Sequence, residues 1–165
     1  MRDVPFLPEV IHRAKELLGK PIPLFLQLLT QELYRDWRKH QQTLRPDHVD
    51  AVFKRVLLGE IARDKLQHFR SRINIHYPDD EKDAAFELLD QLSRSDHPLT
   101  QDALLTAYTQ IEGTRAKPRA GQELKQAFHD LLLLLQNDFY IEETGERRYE
   151  FASRILKLWW RKYYG

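Results

Sequence analysis

Apolar residues recur at helical spacing along most of the chain, separated by short polar breaks that carry Gly or Pro. From Pro8 to Leu18 the set Val10, Ile11, Ala14, Leu17 and Leu18 predicts a first helix, which Gly19 ends by supplying a left-handed residue. After Pro23 a longer helix keeps Leu26, Leu29, Leu33 and Trp37 on one stripe and turns Arg35, Arg38 and Lys39 to water, fading near Gln42. Arg45-Pro46-Asp47 is a fresh start, with Pro in the first turn and an acid beside the positive helix end. The third helix then carries Val49, Val52, Phe53 and Val56 and closes at Gly59. A fourth places Ala62, Leu66, Phe69 and Ile73 on one side and stops before Tyr77-Pro78, because a residue ahead of proline avoids helical geometry.

The second half opens on Asp79-Asp80-Glu81, acids suited to a helix start, and continues with Ala85, Leu88, Leu89 and Leu92 as a buried face. Ser95 to Pro98 reads as a turn. Thr100 then caps a helix with Leu104, Ala107, Tyr108 and Ile111. A basic connection from Gly113 to Gly121 leads into a Leu-rich helix, Gln122 to Gln136. Phe139-Tyr140-Ile141 and Tyr149-Glu150-Phe151 are β-rich runs around Thr144-Gly145, the pattern of a hairpin, and Ser153 caps a last helix from Arg154 to Tyr164.

Three helices followed by a hairpin give the winged variant of the helix-turn-helix, with the third helix in the recognition position and a two-stranded wing. The expected fold is mainly α: a helical lid-like subdomain over 1–77 and a winged-helix domain over 78–165.

Composition narrows the function classes. A length of 165 residues suffices for one ordinary domain or two small ones. No cysteine is present, which excludes disulfides, thiolate metal sites and cysteine nucleophiles and fits the cytoplasm. No signal-peptide pattern follows Met1, and no apolar run is long enough for a membrane span. With a formal net charge of +1, affinity for nucleic acid must come from local clustering.

Candidate chemistry is sparse. The seven histidines form no set with metal-ligand spacing. Ser95-Asp96-His97 holds the residue types of a catalytic triad, but neighbours in sequence point apart, so a turn is expected. Asp79, Asp80 and Glu81 are read as helix-start charge and not as a cation site. No metal and no catalytic residue is expected. For DNA, the candidates are Arg115, Lys117 and Arg119 in the loop before the recognition helix, and Lys125 on it. Against DNA, the outward row of that helix is Gln122, Gln126, His129, Leu133 and Gln136, and the wing carries Glu142, Glu143 and Glu146 against Arg147 and Arg148. Leu131 to Leu135 cover more than one helix side at roughly 100° per residue, so Leu133 and Leu134 are expected to be covered by the first half or by a second copy. The adjacent Trp159 and Trp160 are expected to divide in the same way, one inside and one at the seam or toward a partner.

Three stretches resemble a known family. Gly19-Lys20-Pro21 with Leu24 to Leu29 and Glu32-Leu33-Tyr34 looks like a Gly-x-Pro lid helix, and Leu44-Arg45-Pro46-Asp47-His48-Val49 like the helix start that follows it. Tyr149-Glu150-Phe151-Ala152-Ser153-Arg154-Ile155-Leu156 with Trp159-Trp160-Arg161 looks like a wing strand and closing helix. Together they resemble the C-terminal lid and winged-helix segment of prokaryotic AAA+-like P-loop ATPases, including the STAND-type signalling ATPases. The resemblance implies that Gly19 and Pro21 lie near the adenine of a bound nucleotide, and it departs from the family at Ile22-Pro23, where a second proline stands. No Gly-x-x-x-x-Gly-Lys-[Ser/Thr] loop is present. The chain is therefore expected to be no enzyme by itself but a regulatory, protein-interacting piece of a longer ATPase. In that protein ATP or ADP with magnesium would sit on a separate nucleotide-binding domain, and the remaining partners would be another protein or a second copy.

Overall fold

The computed structural model describes residues 6–20, 22–57 and 59–165. It is mainly helical, as the periodicity predicts, with eight α-helices and one small antiparallel sheet among the described residues. No described helix is long and apolar enough to cross a membrane. The chain divides into two compact units, Met1–Gln67 with Ser153–Ile155, and His68–Ala152 with Leu156–Gly165.

In the first unit, α1 (Pro8–Leu18), α2 (Pro23–His40) and α3 (Pro46–Val52) each begin with proline, whose missing N–H costs nothing in a first turn. Gly19 ends α1 at φ 65° and Gln41 ends α2 at φ 52°. The third helix is shorter than its apolar spacing predicts, because Phe53–Leu57 widens into a π-helical segment. Val10, Leu18, Phe25, Leu29, Leu33, Val49, Val52 and Val56 are buried as the core. Arg13 ties α1 to α3 through Asp50 at 2.7 Å, and Arg55 ties the π segment to α2 through Asp36 at 2.9 Å.

Helix α4 (Glu60–His76) changes unit at Gln67, ahead of the Tyr77-Pro78 break where the sequence suggests a seam. Its last turns join the second unit: Tyr140 donates its hydroxyl to the Phe69 carbonyl at 2.5 Å, and Arg72 pairs with Asp138 at 3.0 Å. The rest of that unit runs α5 (Lys82–Arg94), β1 (Leu99–Thr100), α6 (Gln101–Glu112), α7 (Gly121–Asn137), β2 (Ile141–Glu143), β3 (Arg148–Phe151) and α8 (Arg154–Tyr163), the first turn of α8 belonging to the first unit. The sheet has three strands in the order β1-β3-β2, not the two expected, because Leu99 and Thr100 pair with Tyr149 and Arg148. Thr100 still caps α6, its hydroxyl accepting the Ala103 N–H at 3.2 Å.

Burial within the chain bears on two packing expectations. Trp159 and Trp160 are both buried, at 1 % and 0 % exposure. Trp160 packs on Phe86 and Phe151 and donates to Asp90 at 2.6 Å, Trp159 lies against Tyr163, and the two indoles meet edge to face and share Tyr164. Of the leucine run, Leu131, Leu132 and Leu135 are enclosed, Leu134 is half-buried and Leu133 is 43 % exposed. Three buried positions satisfy the core of the second unit, and Leu133 stands on the opposite side of α7.

Candidate functional site

The basic connection between α6 and α7 is held down by carboxylates. Glu112, the last residue of α6, has a side chain only 1 % exposed and lies between two arginines. Arg119 donates to it three times: its backbone N–H at 2.9 Å and its Nε at 3.1 Å go to Oε1, and its Nη2 at 2.9 Å goes to Oε2. Arg115 Nη1 stands 3.2 Å from Glu112 Oε2 and also donates to the Asp80 carbonyl. From the start of α5, Glu81 receives Arg119 Nη2 at 2.5 Å and accepts the Tyr108 hydroxyl at 3.1 Å. Asp80 completes the cluster at 3.7 and 3.8 Å from the two guanidinium groups.

Electrostatics follow from this geometry. Burial alone would push the Glu112 carboxyl up, but the side-chain and backbone hydrogen bonds from Arg119 and the Arg115 charge outweigh it, and the group lies below the ordinary carboxylate range. The Glu112 and Glu81 hydrogen bonds hold the Arg119 proton more tightly than in water. Burial first, then the Glu81 charge, pushes the Tyr108 hydroxyl up. A buried cluster whose charges match in this way fixes the α6–α7 connection and leaves those arginines little capacity for an outside anion.

The four nucleic-acid candidates therefore split. Arg115 and Arg119 are committed inward, at 19 % and 18 % side-chain exposure. Lys117, at the tip of the connection, and Lys125, on α7, are exposed, with no described carboxylate paired to them. Gln122, Gln126, His129 and Leu133 line the exposed side of α7 as its periodicity predicts, Gln136 being half-buried. The basic row on α8 is also used within the fold: Arg161 donates to the Ser93 carbonyl at 2.5 Å and pairs with Asp96 at 3.2 Å, and Arg154 donates to the Glu16 carbonyl at 3.1 Å. Burial, then the neighbouring Arg161, pulls the Lys157 ammonium below its usual range.

Ser95 Oγ bonds the His97 backbone at both N–H and carbonyl, the local closure of a turn. Asp79 pairs with Lys82 at 2.5 Å. Among the described residues no group of three or more His, Asp or Glu side chains could hold a metal ion. Gly19 takes a positive φ and donates its N–H to the Lys15 carbonyl at 2.9 Å, closing α1. Pro21, its partner in the expected adenine contact, lies outside the described residues.

The sequence reading missed Glu81 and Glu112 as the acceptors for the loop arginines. A signal exists at Glu112: an acid in the last turn of a helix opposes the helix dipole and calls for a cation nearby. Compared with models of known protein families, with curated proteins and with solved structures, the chain matches none.

Proposed function

We propose that this chain is the regulatory and protein-interaction end of a P-loop ATPase, in which a helical lid-like part leads into a winged helix. What supports the winged helix is the element order α5-β1-α6-α7-β2-β3 with the sheet order β1-β3-β2; on this reading α7 is the recognition helix and the β2–β3 hairpin the wing. The single observation that favours docking of protein over reading of DNA is the neutralisation of Arg115 and Arg119 by Glu81 and Glu112. In this reading the chain has no chemistry of its own. Nucleotide held with magnesium by a separate domain biases the lid, the lid carries the winged helix with it, and a partner reads the change.

A second reading, a DNA-binding winged helix, is favoured by the exposed Lys117 and Lys125 and by Arg147 and Arg148 in the hairpin. Titrating duplex DNA into the protein at several salt concentrations separates the two. Protein docking predicts weak binding that modest salt removes, and nanomolar sequence-specific binding would establish the second reading instead.

A further inference from the structure

Within the second unit one enclosed cation has no counter-charge. Arg70, on the part of α4 that belongs to this unit, stands among three rings: its Cζ lies 3.9 Å from the ring centre of Tyr164, 4.2 Å from that of Phe86 and 5.3 Å from that of Trp160. Phe86 comes from α5, Trp160 from α8, and Tyr164 follows the last residue of α8. Stacking against rings offsets part of the cost of enclosing a charge. It leaves the N–H groups unsatisfied, because a carbon ring has no lone pair for a guanidinium donor. Nη1 of Arg70 is enclosed without a hydrogen-bond partner, and no described carboxylate pairs with this arginine. Asp90, one turn beyond Phe86 on the same side of α5, accepts the Trp160 indole N–H at 2.6 Å instead. A buried donor without an acceptor is costly and rare, and calls for an acceptor from elsewhere. Arg70, Phe86 and Tyr164 are only half-buried, so the cluster reaches the surface.

We propose that Arg70 binds a carboxylate group from outside the chain, carried by a small organic acid or by the C-terminal end of a partner polypeptide. The edge of a guanidinium presents parallel N–H groups that match the two oxygens of a carboxylate, a fit that a halide lacks. Rings packed about the guanidinium restrict it beforehand, so less freedom is lost when the guest arrives. Local charge favours a monoanion over a phosphate dianion, since Asp90 already brings a carboxylate to the indole that Arg70 lies against. Tyr164 is the one ring of the three outside a helix, and it is the cover that moves aside for a guest to reach Nη1. A purely structural arginine would account for the rings but not for the unpartnered Nη1. The inference does not rest on the ATPase reading, because it uses only residues of the second unit.

The test titrates sodium acetate into the full chain, with ionic strength held constant by sodium chloride, and follows tryptophan fluorescence, to which Trp160 contributes beside the site. Acetate should give a saturable change, and inorganic phosphate should bind at least about tenfold more weakly. Arg70→Lys keeps the charge without the two-pronged edge and should weaken acetate binding at least about tenfold, while Arg70→Gln should abolish the response. Two-dimensional NMR of the parent, following the Arg70 Nε–H signal during the same titration, decides the matter even where a variant fails to fold. An acetylated tetra-alanine peptide, with its C-terminus free or amidated, identifies the source of the carboxylate. Binding of the free form well above that of acetate assigns a partner's chain end, and binding equal to acetate assigns a small acid. No saturable response to acetate, an Arg70 signal that stays in place, or a response unchanged in Arg70→Gln would overturn the inference. So would phosphate binding more tightly than acetate, or an amidated peptide binding as well as the free one.

Discussion

Arg119 meets Glu112 edge to edge, Nε to Oε1 at 3.1 Å and Nη2 to Oε2 at 2.9 Å, with the carboxylate almost wholly enclosed. A planar guanidinium suits this two-point contact as lysine does not. Replacing Glu112 by Ala takes from two part-buried arginines their shared enclosed acceptor while leaving Glu81 and Asp80 beside them, and a loss of about 2 kcal/mol is expected, the usual scale for losing hydrogen bonds to a charged group. Urea unfolding monitored by circular dichroism measures it. Arg119→Lys should recover only part of the stability of the parent over Arg119→Ala, because one ammonium cannot span both oxygens.

The same carboxylate gives the protein an acid-sensitive element. Glu112 is held below its ordinary value of 4.5, so the unfolded chain takes up this proton first as the pH falls. The contribution of the pair is thus fully present at neutral pH, starts to fade near 4.5 and is gone once the pH has dropped through the lower folded-state value. Thermal melts of the parent from neutral to acid pH should show that loss. In Glu112→Gln this part of the pH dependence should be missing, and a variant that keeps the full acid transition would assign the transition to other groups.

Within the leucine run of α7, burial ranks the consequences. Leu135 is fully enclosed, and Leu135→Ala should cost about 3 kcal/mol through lost contacts and the cavity left behind. Leu133 is 43 % exposed, and Leu133→Ala should stay within about 0.5 kcal/mol of the parent. Parallel denaturant melts compare them, and equal losses would mean that Leu133 is covered in solution.

Nucleotide, on the proposed reading, is held by another domain. Calorimetric titration of ATP with magnesium into the purified chain should therefore give no resolvable binding, and a coupled assay no hydrolysis. Tight, magnesium-dependent binding would require a phosphate site that the sequence lacks in its recognised form.

Helix positions were legible in the sequence because apolar spacing, prolines in first turns and Gly19 agree with one another. Strand β1 was hidden because Leu99-Thr100 is too short to show alternation, and its pairing with Tyr149 and Arg148 is made far along the chain. Phe53 and Val56 stay inward in the π segment at Phe53–Leu57 while the helical count changes, so periodicity reads straight through it. The Arg115 and Arg119 loop read as a free basic patch for a related reason. Charge along the sequence shows where cations are, but the partner Glu81 arrives from the start of α5, and only folding brings it to Arg119.

Duplex DNA titrated by fluorescence anisotropy at about 50 and 200 mM salt tests the central claim most directly. With Arg115 and Arg119 bound to carboxylates, the account predicts weak, sequence-independent binding at the lower salt that disappears at the higher one. Lys117→Ala and Lys125→Ala should remove most of what remains, since those are the exposed cations of the connection and of α7. Nanomolar binding to a defined sequence that survives the higher salt would contradict the account and make the chain a reader of DNA.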